Sequence, residues 1–228
     1  MKYLALYFRA PMQSWGVSGR FGERPTMSFP SKSGVIGMLA AAAGVDRTED
    51  AWTQRASMLS FSVRAYRCGP RLSDYHTVGG GYDSKSSYEK RCIPAKAEDG
   101  KPGNTTLTRR EYLQDAVFGV VMGGEDEELL VRMAEQIQNP VWGVWLGRKA
   151  CIPTEPIFAG VEDSESAAWN VLERRAEKSK KSCAGETRAC QECQSAEADD
   201  ILLDVPVSFS RRIFGSRSVA YSTSEWKV

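Results

Sequence analysis

The chain has 228 residues, 42% of them hydrophobic, with 30 Lys+Arg against 29 Asp+Glu and one histidine, an ordinary globular composition for one large or two small domains. It has no apolar run of about 18 residues or more, and MKYLALYFRAP lacks the features of a secretory signal; we therefore expect a cytoplasmic protein with no membrane partner. A net charge of +1 excludes a uniformly basic surface, but residues 1 to 115 hold 17 Lys+Arg against 11 Asp+Glu and residues 116 to 228 hold 13 against 18, an asymmetry that suits one polyanion-facing side or is chance clustering.

KYLALYFRA alternates and is rich in aromatics, so residues 2 to 10 read as a first strand. A long loop follows from Pro11 to about Pro30, with PMQSWG at its start and Arg20 and Arg24 inside it. SKSGVIGMLAAAAG is a helix, capped by Ser31 or Ser33 and stopped at Gly44. EDAWTQRASML reads as a second short helix, and residues 59 to 67 alternate as a strand. Residues from about 73 to 110 are almost free of large aliphatics and carry three consecutive glycines and a cluster of Lys and Arg. A segment of that length predicts an extended hairpin or an arm. Residues 111 to 124 return to strand character, EDEELLVRMAEQIQNP is a helix with acids in its first turn and a proline stop, and VWGVWLGRKACIP reads as a further strand.

The order strand, helix, strand, strand, helix, strand predicts an α+β fold. It is a ferredoxin-like or RRM-like core with a long thumb insertion between its second and third strands. The core with its thumb spans residues 1–160. Residues 161–228 form a C-terminal extension: a charged Cys-containing surface segment, then a strand-rich end that pairs with the sheet or builds a small second lobe.

Single-stranded RNA held in a fixed shape needs cations for phosphates, glycines for close approach and flat side chains for unstacked bases. PMQSWG offers Gln13 for hydrogen bonding, Trp15 as an aromatic surface and Gly16 for approach, with Arg20 and Arg24 nearby. The turn Ser31, Lys32, Ser33, Gly34 adds hydroxyls, a cation and a helix N-terminus suited to a phosphate. Tyr75 and His76 stand at the base of the thumb, Arg109 and Arg110 return opposite them, and Arg148 lies in the last predicted strand. Taken singly, each has a plainer reading: Trp15 as core, Ser31 as a helix cap, the arginines as solvated surface charges. No nucleotide loop is read at Gly79–Gly81, which lacks the G-K-[ST] ending.

Six cysteines do not require disulfides in a cytoplasmic chain of this length. Cys183, Cys190 and Cys193 have a C-x6-C-x2-C spacing that could hold a structural zinc with a fourth ligand such as Cys151. The plainer reading is an exposed insertion, and no cofactor is expected.

PMQSWG, RPTMSFPSKSGVIGMLAAAAG, DYHTV, RREYLQDAVF and GVWLGRKAC occur in an order that resembles the fifth CRISPR-associated subunit family of subtype I-E, the CasD family of the Cascade surveillance complex, over about residues 1 to 160. The resemblance implies a non-catalytic RNA-binding subunit of an antiviral defence complex. Such a subunit caps the backbone filament and holds the 5′ handle of the CRISPR guide RNA. It contacts the adjacent Cascade backbone subunit and the Cascade large subunit, near the flanking motif of the target DNA. The residues named above would then face RNA or a partner.

Two other classes compete. A related subunit of another subtype is a metal-independent endoribonuclease that processes repeat RNA, and Tyr75, His76 and Lys85 or Lys90 could supply its acid, base and charge stabilisation. One histidine makes that set thin, because Tyr and Lys would need strongly lowered pKa values. A zinc-bearing adaptor built on the Cys-rich segment is the other.

Overall fold

The computed structural model describes residues 1–16, 19, 22–78, 106–178 and 185–226. The first strand, β1 (Lys2–Arg9), sends Leu4, Leu6 and Phe8 into one core and Ala5 and Tyr7 into another, so both of its faces are buried. After two short strands, β2 (Met12–Gln13) and β3 (Glu23–Arg24), comes α1 (Lys32–Ala43). Ser31 caps α1 with its Oγ accepting from Gly34 N at 3.3 Å, and Gly44 ends it in the left-handed region at φ 68°. A second helix, α2 (Asp50–Ser57), leads into β4 (Ser60–Arg67).

Next come β5 (Arg71–Val78), β6 (Thr106–Gln114), β7 (Val117–Gly124) and α3 (Glu127–Gln138). Asp126 caps α3, its carboxylate accepting from Leu129 N at 3.1 Å, and Leu129, Leu130, Met133 and Ile137 form the buried stripe. The chain closes with β8 (Phe158–Glu162), α4 (Glu165–Lys178), β9 (Gly185–Glu192), β10 (Asp200–Ser208) and β11 (Ile213–Trp226).

The main sheet has seven strands in the order β10-β11-β9-β4-β7-β1-β8, each neighbour antiparallel. Helices α1, α2 and α3 cover one face, where Val35, Ile36, Leu39, Ala56 and Leu130 meet Leu6, Phe8, Phe61 and Phe118. Helix α4 covers the other, setting Trp169, Leu172 and Ala176 against Tyr7, Tyr66 and Val121. A second, smaller sheet has β6 at its centre, paired with β2, β3 and β5.

Three expectations change and one alternative is resolved. Residues 111 to 124 are two strands and not one, because the chain turns at Asp115, a left-handed residue at φ 50°. The expected strand over VWGVWLGRKACIP is a braced loop in which Leu146 N donates to Cys151 O at 2.9 Å; the strand that follows α3 is β8, five residues further on. Residues 161 to 178 are not a surface extension. Ala168, Trp169, Leu172 and Ala176 recur at helical spacing, and their burial makes α4 a structural layer. Of the two arrangements expected for the C-terminal strands, pairing with the sheet is the one found and a second lobe is not: β9 lies between β4 and β11 in the main sheet. Between β4 and β7 stands the antiparallel β5–β6 ladder, the base of the predicted insertion, whose residues 79 to 105 lie outside the described residues.

Candidate nucleic-acid interface

PMQSWG is largely interior. Trp15 and Gln13 are fully buried. The indole stacks on Phe8 with ring centroids 5.4 Å apart, and its Nε1 donates to Gln13 Oε1 at 3.3 Å. Gln13 Nε2 in turn donates to Ala116 O at 2.8 Å. The expectation that these two side chains face RNA is therefore corrected: their polar atoms are taken up internally, joining the end of β1 to the start of β7. Gly16 is exposed with open space around it, and Arg20 lies outside the described residues.

The Ser31–Gly34 turn is likewise occupied by the chain itself. Lys32 N donates to Asp204 Oδ2 at 2.8 Å, so a carboxylate from β10 already sits at the N-terminus of α1, where a phosphate was expected. The Lys32 ammonium is buried and donates to Leu59 O at 2.7 Å and Glu192 Oε1 at 2.8 Å. Arg217 Nε and Nη2 donate to the two oxygens of Asp204 at 2.7 and 3.0 Å. Burial holds Lys32 below its usual range; burial is also the largest pull on Arg217, but the hydrogen bonds to Asp204 and the negative charges around it, Asp204 and Glu192 among them, together outweigh it and raise the guanidinium. Lys32 is thus a member of an internal ion network, and Ser31, 1% exposed, is a helix cap. Ser33 and Gly34 are half-buried, and a Cβ on Gly34 would stand 3.1 Å from the Trp15 ring. Asp204, Glu192 and Arg217 escaped the sequence reading because no local pattern links a β10 carboxylate to a helix 170 or so residues earlier.

The remaining candidates gather on the small sheet. In its register Tyr75 faces Arg109 and His76 faces Thr108, while Arg24 of β3 pairs with Arg110 and Glu23 with Arg109. Because side chains alternate along a strand, Arg24 and Arg110 lie on one face with Asp74, His76 and Tyr112. Tyr75 and Arg109 lie on the other. Arg148 joins the first face from the loop after α3. Its guanidinium sits 4.9 Å from the Tyr112 ring centroid, its Nη2 donates to Arg24 O at 2.7 Å, and its buried Nη1 has no hydrogen-bond partner among the described residues. Arg24 donates to Gly19 O, and Arg110 Nε donates to Thr108 Oγ1 at 3.2 Å. Among the described residues none of Arg24, Arg109, Arg110 and Arg148 forms an ion pair with a carboxylate. Arg71, on the same ladder, is by contrast neutralised by Glu111 at 3.0 Å. Tyr112 was missed although it stands two residues beyond Arg110, the same-face spacing of a strand.

Tyr75 and His76, the acid–base pair of the nuclease reading, are adjacent on β5 and so point to opposite faces; Lys85 and Lys90 lie outside the described residues. His76 Nδ1 stands 3.6 Å from Asp74 Oδ2. Cys190 is buried on β9, its thiol pushed up to about 11 by burial, while Cys193 N donates to Ser218 O at 3.1 Å. Cys183 lies outside the described residues, and among those described no three His, Cys, Asp or Glu side chains are placed to hold a metal ion. No helix among them is long and apolar enough to cross a membrane.

Residues 3–220 match the family described as CRISPR-associated protein (Cas_Cas5). The CRISPR system Cascade subunit CasD of Escherichia coli (strain K12) is 33% identical over 185 residues, which cover 74% of this chain and 76% of the relative. A chain of a solved CRISPR RNA-guided surveillance complex superposes with a TM-score of 0.76 at 32% identity, covering 98% of this chain and 90% of that one. A crystal structure of a Cas protein gives a TM-score of 0.68 at 28% identity over 98% and 95%. The match by family extends through β9, β10 and most of β11, the part of the chain where the sequence motifs gave out; the chain belongs to the CRISPR-associated protein (Cas_Cas5) family.

Proposed function

We propose that this chain is the CasD-type subunit of a Cascade surveillance complex and that it holds the 5′ handle of the guide RNA without cleaving it. The observation that carries this reading is the set of arginines that have no carboxylate partner among the described residues, Arg24 and Arg110 on one face of the small sheet with Arg148 joining them from the loop, and Arg109 on the other face. Like charges held this close repel one another, and a polyanion relieves that repulsion. The β5–β6 ladder sets Arg109 and Arg110 in a sheet separate from the main one, and it is the element that faces the adjacent backbone subunit. The β8-β1-β7-β4 order, with α1 and α3 on one face, supports a ferredoxin-like core as the platform. Binding is positional: phosphate contacts fix the shape of the handle, while base pairing elsewhere on the guide reads the target.

The test is assembly with guide RNA at several salt concentrations. For single strands the slope of log K against log salt falls by about 0.7 for each phosphate that the protein no longer neutralises. Arg110→Ala and Arg24→Ala should each lower the slope by about that amount and weaken binding at moderate salt. Unchanged affinity and slope in the double variant would overturn the reading.

A further inference from the structure

The main sheet ends on one side at β8, which among the described strands pairs with β1 alone. Backbone carbonyls point alternately to the two sides of a strand. Tyr7 N donates to Ile157 O at 2.7 Å, so the carbonyls of Pro156 and Phe158 turn away from β1, to the open side. Val161 pairs with Leu4 as Phe158 pairs with Leu6, and it turns its backbone amide the same way. A row of outward backbone groups on an edge strand is a template for one more strand.

On β8 those carbonyls are already taken. Arg175, in the last turn of α4, donates from Nη1 to Phe158 O at 2.8 Å and from Nη2 to Pro156 O. Its guanidinium lies over the Tyr7 ring, 4.6 Å from the centroid, and its Nε is 3.8 Å from Glu155 Oε2. Its neighbour Arg174 instead turns back on the helix, donating to Asn170 O at 3.1 Å. Two further features blunt the edge: Pro156 has no N–H to offer, and the register with β1 shifts between Phe158 and Gly160. The far end of the sheet, β10, is closed in the same manner. Pro206 lacks an N–H and its carbonyl accepts from Ser57 Oγ at 2.6 Å, Ile201 N donates to Asp200 Oδ1 at 2.7 Å, and the register with β11 shifts twice.

We propose that Arg175 guards this edge: by occupying the outward carbonyls of Pro156 and Phe158 it keeps β8 from pairing with β8 of a second copy of the chain. The planar fork of a guanidinium can serve two carbonyls two residues apart at once, which a lysine ammonium does not do with the same geometry. An incoming strand would have to displace both hydrogen bonds and desolvate the charge. In a two-fold pair the same edge meets itself, so the guanidinium groups of the two copies would also approach and repel. Anchoring α4 does not require this arginine, because Trp169, Leu172 and Ala176 already bury the helix on the sheet. The guard acts at the opposite strand edge from the C-terminal hairpin and is independent of the RNA-holding reading.

The test is the oligomeric state of the purified full chain, by light scattering and sedimentation over about a hundredfold range of concentration. Arg175→Met keeps the length of the side chain and its packing on Tyr7 but removes both donors; its mass should rise toward about twice that of the parent as concentration increases, while the parent stays single. Arg174→Met removes the same charge one residue away and should behave as the parent does. Adding Val161→Pro to Arg175→Met takes an outward N–H from the edge by another route and should return the mass to that of the parent. A proline does not repair a damaged fold, so this rescue separates an opened edge from simple destabilisation. Arg175→Lys keeps the charge without the fork, should associate to an intermediate degree, and carries the test if circular dichroism shows Arg175→Met unfolded. A single, folded chain for Arg175→Met at every concentration overturns the proposal, as does a parent that already pairs. Association that Arg174→Met shares, or that Val161→Pro leaves in place, overturns it as well.

Discussion

Asp204→Ala tests the ion network that fills the N-terminus of α1. The carboxylate is 4% exposed and accepts three hydrogen bonds, two from Arg217 and one from Lys32 N. Its loss leaves a guanidinium whose side chain is 6% exposed without its principal counter-charge, and Glu192, 3.8 Å from Arg217 Nη1, is already engaged by Lys32. Breaking a buried pair by removing one partner costs about 3–5 kcal/mol, because the other charge stays desolvated. Against a total stability of about 5–15 kcal/mol this is a large fraction, and for a chain of this size it lowers the melting midpoint by on the order of 10 °C. Urea denaturation followed by circular dichroism measures it directly. The double variant Asp204→Leu with Arg217→Met removes both charges and should recover more than half of the loss, though Lys32 N still lacks its acceptor. A cost below about 1 kcal/mol for Asp204→Ala would refute the account, since it would mean that water or Glu192 replaces the carboxylate freely.

Two further outcomes follow from the geometry. Gly147 has φ 95° and a Cβ there would lie 1.7 Å from Ser14 O, so Gly147→Ala must displace the loop; a loss of about 2–4 kcal/mol, with weaker RNA binding because Arg148 and Lys149 move, is expected in thermal melts and binding titrations, and wild-type behaviour in both would contradict it. Burial raises the Cys190 thiol from 9.0 to about 11, so the fold favours the neutral thiol; that contribution is complete below about pH 9 and is lost as pH rises toward 11. Between those limits the parent should lose on the order of 2 kcal/mol more than Cys190→Ala, and parallel pH profiles would refute the shift.

Local patterns made much of the fold legible. Alternation in KYLALYFRA, the small-residue helix ending at Gly44 and the Asp126 cap before an apolar stripe each depend on neighbours a few positions apart, and each element stands within a residue or two of its expected place. Helix α4 is hidden in the sequence because its buried stripe of four residues is embedded among charges, so that overall polarity masks the spacing. The loop at 141–153 imitates a strand in its apolar content, but its positions are set by Ser14 and Arg9, more than 130 residues earlier: Ser14 N donates to Leu146 O at 3.1 Å and Thr154 N to Arg9 O at 2.9 Å. The candidate site divided in the same way. Arg109, Arg110 and Tyr75 could be read as a ladder, whereas the burial of Gln13, Trp15 and Lys32 depends on partners at Ala116, Phe8 and Glu192 that sequence proximity does not reveal.

The charge asymmetry of the two halves acquires its meaning only once the internal pairs are subtracted. Lys2, Arg9, Lys32 and Arg64 of the basic half are neutralised by Asp163, Glu155, Glu192 and Glu173 of the acidic half. Much of the imbalance along the sequence is therefore cancelled in three dimensions, and it reports on how the halves pack and not on a ligand. What the cancellation leaves, among the described residues, is Arg24, Arg109 and Arg110 on the small sheet, Arg47 after α1, and Arg148, Lys149 and Arg212 of the acidic half, together with Arg67 on β4, Arg174 and Lys178 on α4 and Arg188 on β9, none of which forms an ion pair. Some of them gather at the 142–149 loop, Arg148 donating to Arg24 O on one side and Lys149 lining a groove with Arg47 and Arg212 on the other. The cations left without ion pairs after folding, such as Arg148 over the Tyr112 ring, are therefore a sharper pointer to a polyanion than the net charge of +1 or its division along the chain.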